Sequence, residues 1–120
     1  SEITLRVVPL NHIVLRYEFS ELCYTKEDWQ KVKVIRKIMH DDNIKITATT
    51  VRVPIYRSHS ESINIETEEK ITADQAREIL ANAPGIIVQD DVTNKVYPMP
   101  LFTSDRDEVF VGRIRGRQYH

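Results

Sequence analysis

One histidine of this sequence lies among charged residues whose types suit proton transfer and anion binding. His59 is preceded by Arg52 and Arg57 and followed by Glu61. An imidazole exchanges protons near neutral pH, and a guanidinium binds a carboxylate or phosphate through two parallel hydrogen bonds. These residues are therefore a candidate acid–base site for an anionic substrate. A solvated group of surface charges is the alternative interpretation, because exposed ion pairs are common and contribute little to stability.

The glycine and cysteine counts restrict the cofactors that the chain can hold. Gly85, Gly112 and Gly116 are its three glycines, and they are scattered. A loop that cradles phosphate groups needs clustered glycines, so that backbone N–H groups approach the anion closely. The sequence therefore predicts no nucleotide-binding loop. Cys23 is the single cysteine, which argues against a cysteine-rich zinc site and an internal disulfide, and favours a reducing, cytoplasmic compartment.

Two helices that position these residues are predicted by capping boxes followed by apolar residues at helical spacing. Thr25 begins the first, and Asp28 takes the third position of its box, where Glu or Gln is usual. Thr72 and Gln75 begin the second, which ends at Pro84. The first helix has apolar residues at Trp29, Val32, Ile35, Ile38 and Met39. We expect Trp29 to pack in a core or an interface.

Alternating apolar residues predict the strands. They fall at residues 3–7, 44–56, 58–67, 86–88 and 109–114, with a bulge or twist near Thr50. Residues 98–100 are expected to be extended, because two of them are prolines. The order of elements favours an α+β fold, a mostly antiparallel sheet with the helices on one face. We expect residues 1–24 to form an irregular N-terminal segment and residues 25–120 to form one domain.

Composition places the chain among small folded domains. Its 120 residues correspond to one domain; 41% are hydrophobic, 29% are charged, and the net charge is −1. This charge balance argues against a nucleic-acid-binding surface, which usually carries a basic excess. The sequence has no apolar run of the length that a membrane span requires. We therefore expect neither nucleic acid nor a membrane as a partner.

Several separated motifs give the chain a specific resemblance. The motifs are Thr25–Trp29, Val51–Pro54, Ser58–Ser62, Asn82–Gly85 and Phe110–Arg115. Their order resembles the C-terminal domain of bacterial aspartate-β-semialdehyde dehydrogenases, from about Tyr24 to Arg115. The resemblance implies the α+β fold found in glyceraldehyde-3-phosphate-dehydrogenase-like enzymes.

The resemblance implies an activity and three site residues. The family reduces β-aspartyl phosphate to aspartate semialdehyde with NADPH, on the route to lysine, methionine and threonine. His59 is similar in position to the family's acid–base histidine, Arg52 to the arginine that binds the substrate carboxylate, and Glu27 to the acidic residue that orients the substrate amino group. The resemblance also implies a cytoplasmic homodimer that forms through the sheet of this domain.

The chain departs from the family pattern at several points. Gln30 stands where the family has a phosphate-binding lysine, and Lys31 lies about 100° away around the helix. Cys23 lacks the Asn-Cys context of the family's nucleophile, and the chain shows neither the glycine-rich cofactor half nor the family's final helix. We therefore expect a fragment that is inactive by itself and that binds no NADP alone.

Other interpretations stay open at this point. The chain is alternatively a non-catalytic dimerisation module or the remnant of a split gene, or part of a related N-acetyl-glutamyl-phosphate reductase. Arg52 is alternatively an ion-pair partner on the sheet. Glu27 alternatively complements the dipole at the start of the first helix, and the Gly112 motif is expected to be structural, with glycine allowing a close backbone approach.

Overall fold

The computed structural model describes the backbone of residues 2–8 and all atoms of residues 25–51 and 53–116. The described residues fall into two compact units. One lies within Ser1–His12 and Ile55–His120, and the other within Ile13–Pro54. Glu27 belongs to the second unit and His59 to the first.

A four-stranded sheet forms the first unit. Its strands are β1 (Glu2–Val8), β2 (Glu61–Glu66), β3 (Ile86–Val88) and β4 (Val109–Gly116), in the order β2-β1-β4-β3. Strand β1 is antiparallel to β2 and β4, whereas β3 is parallel to β4. The α+β class is confirmed, and the sheet is mixed. The long connection between β3 and β4 makes the parallel pair possible, since parallel strands need a crossover of about a dozen residues or more.

Residues 2–8 contain the first predicted strand. They form β1, which lies between β2 and β4 and confirms the strand expected at residues 3–7. This part of the N-terminal segment is therefore regular, whereas residues 9–24 lie outside the described residues and the domain boundary expected at residue 24 stays a prediction.

Helix α2 (Ala73–Ala81) covers part of the sheet. Its capping box has both bonds, one from the Gln75 N–H to the Thr72 hydroxyl (3.1 Å) and one from the Thr72 N–H to the Gln75 side chain (2.9 Å). Ala76 packs with Val111 and Ile114 in the core cluster. Whether α1 covers the same face stays a prediction.

Strand β4 contains a bulge and, beside it, a close backbone approach at Gly112. The pairing with β1 shifts by one residue between Thr4 and Arg6, and Arg113 has a left-handed backbone with φ 53°. A Cβ atom at Gly112 would lie 2.1 Å from the backbone oxygen of Gln89 and 2.6 Å from Cδ of Pro98. The expected close approach at Gly112 is therefore confirmed.

Helix α1 (Lys26–Met39) is the main element of the second unit. Thr25 caps it, Glu27 and Asp28 lie in its first turn, and His40 ends it with a left-handed backbone, φ 52°. Trp29 is 40% exposed within the chain, so it does not belong to a core. Its expected role in an interface stays a prediction.

The strand predicted at residues 44–56 is wrong for the described part of that segment. Ile44, Ile46, Ala48 and Thr50 are half-buried and alternate with exposed residues, as the pattern indicates, but residues 44–51 and 53–56 join no strand ladder. The expected bulge near Thr50 is therefore also absent from these residues. Side-chain hydrogen bonds from α1 hold the segment instead, because backbone groups without a strand partner need other partners.

Residues 98–100 are also corrected in part. Pro100 begins a short helix, α3 (Pro100–Thr103), at its first helical position. Proline suits this position, because its missing N–H would have no partner there.

Candidate functional site

Glu27 lies in the first turn of α1, where the backbone is fixed by the cap. The Asp28 N–H donates to the Thr25 hydroxyl (3.2 Å), and the Thr25 N–H donates to Oδ2 of Asp28 (2.8 Å). Glu27 is half-buried, and its Oε2 atom is shielded from solvent. A partly shielded carboxylate therefore lies in the first turn of α1.

Asp28 does more than cap the helix. Its Oδ1 accepts both the N–H and the hydroxyl of Thr50, each at 2.8 Å. The hydroxyls of Thr50 and Thr25 lie 3.3 Å apart. Asp28 is 5% exposed, so a buried carboxylate joins the first turn of α1 to the segment that precedes Arg52. We call Thr25, Asp28 and Thr50 the carboxylate clasp.

The negative charge of Asp28 is stabilised by the hydrogen bonds that its carboxylate accepts from Thr25 and Thr50. Burial alone would raise the pKa of this carboxyl, but the hydrogen bonds from Thr25 and Thr50 outweigh burial and lower its pKa. The carboxylate is therefore ionised at neutral pH, and each of its oxygens accepts at least one hydrogen bond.

Arg52 itself lies outside the described residues. The segment before it is held at two points, since Arg36 donates from Nε (3.3 Å) and from a terminal nitrogen (3.2 Å) to the Ile44 carbonyl, and Thr50 is bound by Asp28. The segment thus returns along α1 to its first turn. Arg52 follows Thr50 by two residues, which span at most about 7 Å of chain.

His59 is half-buried and lies just before β2. The preceding residue, Ser58, is buried and has a left-handed backbone with φ 77°. The Ser58 hydroxyl lies 3.1 Å from the Ser104 hydroxyl, and Arg57 forms an ion pair with Asp105. Such strained non-glycine conformations persist where the surroundings hold them, and they are frequent at functional sites. The entry into His59 is therefore fixed by two contacts with the end of α3.

The structure describes two of the three predicted site residues, Glu27 and His59, and does not describe Arg52. Glu27 and His59 belong to separate units, so their common site stays a prediction, as does the role of Arg52. Gln30 is exposed on α1, as is Lys31. His40 lies at the helix end, as predicted. Cys23, like His12 and His120, lies outside the described residues.

Comparison with known proteins decides the family. Residues 8–120 match the model of a family described as semialdehyde dehydrogenase, dimerisation domain. The chain belongs to this family. The dimerisation domain is also similar to whole proteins named aspartate-semialdehyde dehydrogenase. That of Aquifex aeolicus is 57% identical over 97 residues, which cover 81% of the chain and 28% of the relative.

Two further relatives carry the same name. The protein of Campylobacter jejuni is 50% identical over 101 residues, covering 84% of the chain and 29% of the relative. The protein of Bacillus subtilis is 39% identical over 99 residues, covering 82% of the chain and 29% of the relative. The dimerisation domain thus spans less than a third of the length of these relatives.

The structure adds residues that the sequence did not single out. Asp90 of the dimerisation domain accepts hydrogen bonds from Arg77 Nε (2.7 Å) and from the N–H groups of Arg113 (2.9 Å) and Ile114 (3.2 Å). Its hydrogen bond to Arg77 raises the pKa of that guanidinium. Nothing in the spacing of these residues indicates the network. Its members come from three places in the sequence: α2, the loop that follows β3, and the strand β4.

Neither a metal centre nor a membrane-spanning helix is found among the described residues. Within residues 25–51 and 53–116, no group of His, Cys, Asp and Glu side chains is placed to hold a metal ion. None of the described helices of the dimerisation domain has the length and apolar character of a membrane span.

Proposed function

We propose that this domain holds the amino-acid part of the substrate, and manages its protons, in an aspartate-semialdehyde dehydrogenase that reduces β-aspartyl phosphate with NADPH. The observation that carries the proposal is the clasp, which joins the helix turn of Glu27 to the segment that leads to Arg52. A zwitterionic amino acid needs an anion and a cation held at a fixed separation. The names of the relatives support the substrate class.

Each residue has a distinct task in this proposal. Glu27 accepts hydrogen bonds from the substrate ammonium group, and Arg52 binds its α-carboxylate through two hydrogen bonds. Fixing both ends of the substrate orients its acyl group for reaction, which contributes to rate by reducing the entropy lost in the transition state. His59 moves protons to and from the reacting acyl group.

In this proposal NADPH binds to parts of the enzyme outside this domain. When bound, NADPH supplies the hydride. A phosphate cradle needs open space above glycine, but Gln89 and Pro98 fill that space at Gly112, and Gly85 and Gly116 are far apart in sequence. The described residues of this domain therefore do not fit the phosphate groups of a dinucleotide.

A reconstitution assay tests the proposal. We expect the 120-residue chain alone to give no turnover of β-aspartyl phosphate and NADPH, because it offers neither a glycine-rich cofactor loop nor the family's Asn-Cys motif. We expect turnover when the cofactor-binding part of the Aquifex aeolicus relative is added in trans. NADPH absorbance at 340 nm is the measurement.

Two controls make the reconstitution decisive. The cofactor-binding part alone should be inactive, and Glu27→Gln in the chain should reduce the recovered rate at low substrate concentration. Turnover by the chain alone, or a recovered rate that Glu27→Gln leaves unchanged, would contradict the proposal.

We also propose that the chain associates as a homodimer. Large apolar side chains are exposed in both units, including Ile38 (68%) and Met39 (61%) in one and Leu101 (80%) and Phe102 (64%) in the other. Grouped exposed apolar side chains often mark protein interfaces, and the family is described as a dimerisation domain. Light scattering on the purified chain should give twice the chain mass, and a monomer at high concentration would contradict this proposal.

The N-acetyl-glutamyl-phosphate reductase alternative is not better supported. An N-acetylated substrate has no ammonium group, so it gives Glu27 no task. The relatives described above are all named aspartate-semialdehyde dehydrogenase.

A further inference from the structure

The backbone just before His59 is joined to the end of α3, and each of the two segments contains a strained residue. Ser58 has a left-handed backbone with φ 77°, and Asp105 has one with φ 64°. Residues other than glycine rarely adopt this conformation, and they keep it where surrounding contacts hold it. Two contacts between side chains, Ser58 with Ser104 and Arg57 with Asp105, join the segments.

The two serines form a chain of hydrogen bonds with a defined direction. The Ser104 hydroxyl donates to the Pro100 carbonyl (2.5 Å) and lies 3.1 Å from the Ser58 hydroxyl. A serine hydroxyl has one proton to donate, and Pro100 takes that of Ser104. Ser58 is therefore the donor and Ser104 the acceptor between the two serines. Because Ser58 is 6% exposed, Ser104 rather than bulk water satisfies its hydroxyl.

The serine contact is the stronger candidate for holding the backbone at Ser58. The side chains of Arg57 and Asp105 are 59% and 68% exposed, and exposed ion pairs contribute little. A buried hydroxyl that loses its partner is costly, by contrast, because no solvent replaces the lost hydrogen bond. Ser104 therefore opposes a change in the backbone of Ser58 that would separate the two hydroxyls.

We propose that Ser104 is a positioning residue for His59 and acts through the left-handed backbone of Ser58. This inference rests on the proposed function, in which His59 moves protons at the acyl group. The backbone angles of Ser58 set the direction in which the next residue leaves the chain. Among the described residues the His59 imidazole has no hydrogen-bond partner of its own, so its direction depends on this backbone. Ser104 does not touch the substrate in this role.

The test is Ser104→Ala in the reconstituted dehydrogenase, with kcat and KM measured at saturating NADPH. The variant removes the acceptor for Ser58, whereas α3 keeps the backbone hydrogen bond from the Ser104 N–H to the Pro100 carbonyl (3.1 Å). We expect kcat to fall about tenfold, because a small misplacement of a reacting group costs up to about 10²-fold. KM for the acyl phosphate should stay within about twofold, since the lost contact serves the reaction and not substrate binding.

A double variant separates positioning of His59 from a general effect on the fold. If Ser104 acts only through His59, Ser104→Ala should lower kcat no further in a chain that already carries His59→Asn. A merely structural role would lower kcat in both backgrounds.

Thr103→Val is the matched control within the same helix. Thr103 is buried, and its hydroxyl donates to the Met99 carbonyl (3.1 Å) and not to Ser58. This variant should lower the unfolding temperature without changing kcat. Ser104→Thr keeps the hydroxyl and should retain kcat. If the circular dichroism spectrum of Ser104→Ala is not that of a folded chain, Ser58→Ala removes the same hydrogen bond from its donor side and should give the same loss.

The outcomes distinguish this inference from the function on which it rests. A loss of kcat in Ser104→Ala that disappears in the His59→Asn background supports the positioning role. An unchanged kcat, or an equal loss in both backgrounds, overturns it and leaves the proposed function in place. Absence of turnover with the original chain, or a kcat that His59→Asn leaves unchanged, overturns the proposed function and the positioning role with it.

Discussion

Replacing His59 with asparagine is expected to lower kcat of the reconstituted dehydrogenase by about 10²–10⁴-fold, the usual contribution of a positioned acid–base group. An asparagine amide cannot exchange protons near neutral pH, although it occupies similar space. Because His59 is half-buried and lies just before β2, the fold should tolerate the change. Steady-state kinetics with saturating NADPH is the measurement, and KM for the acyl phosphate should change much less than kcat.

His40→Asn is the matched control for this substitution. His40 is exposed at the end of α1 and has a left-handed backbone, which asparagine adopts readily. Its kcat should equal that of the original chain. If His59→Asn retains kcat within a few-fold, or if both variants lose the same amount, His59 does not manage the proton.

The helices show what local sequence predicts well. Thr25 with Asp28, and Thr72 with Gln75, form the two capping boxes, both with reciprocal bonds. A cap depends on residues three positions apart, so the sequence contains all of the information. The position of Glu27 in the first turn of α1 follows directly from it.

The segment at residues 44–56 shows the limit of such patterns. Alternate residues from Ile44 to Thr50 are half-buried, as predicted. Alternation reports which side chains face inward, but a strand also requires a neighbouring strand with free N–H and C=O groups. No strand among the described residues pairs with this segment, and instead Arg36 donates hydrogen bonds to it and Asp28 accepts hydrogen bonds from it.

The candidate site divides in the same way. The types of Glu27, Arg52 and His59 and their motifs predicted chemistry without any coordinates, and these roles stay predictions. The contacts near Glu27 and His59 were not predictable, because they join distant positions. Thr50 donates to Asp28, and the Ser58 and Ser104 hydroxyls meet across 46 residues. Local spacing contains no information about such long-range contacts.

The largest expected effect on stability comes from Asp90. Two residues of β4, Arg113 and Ile114, lie in the bulge, where the ladder with β1 is interrupted. Asp90 accepts both of their N–H groups and the Nε–H of Arg77, and its side chain is 3% exposed. Asp90→Asn removes the charge and places an amide donor where acceptors are needed. We expect the free energy of unfolding to fall by about 2 kcal/mol, because three donors lose a charged acceptor that is itself buried, although Arg77 is partly exposed.

Asp74 provides a control that uses the same arginine. It pairs with Arg77 at 2.8 Å, but its side chain is 95% exposed. Asp74→Asn should therefore change the free energy of unfolding by less than about 0.5 kcal/mol, and that change should shrink further in high salt. Urea unfolding of both variants, followed by circular dichroism, is the measurement. Equal losses would mean that burial and the bulge N–H groups add nothing to the Asp90 contact, whereas a loss confined to Asp90→Asn shows that the bulge depends on this carboxylate.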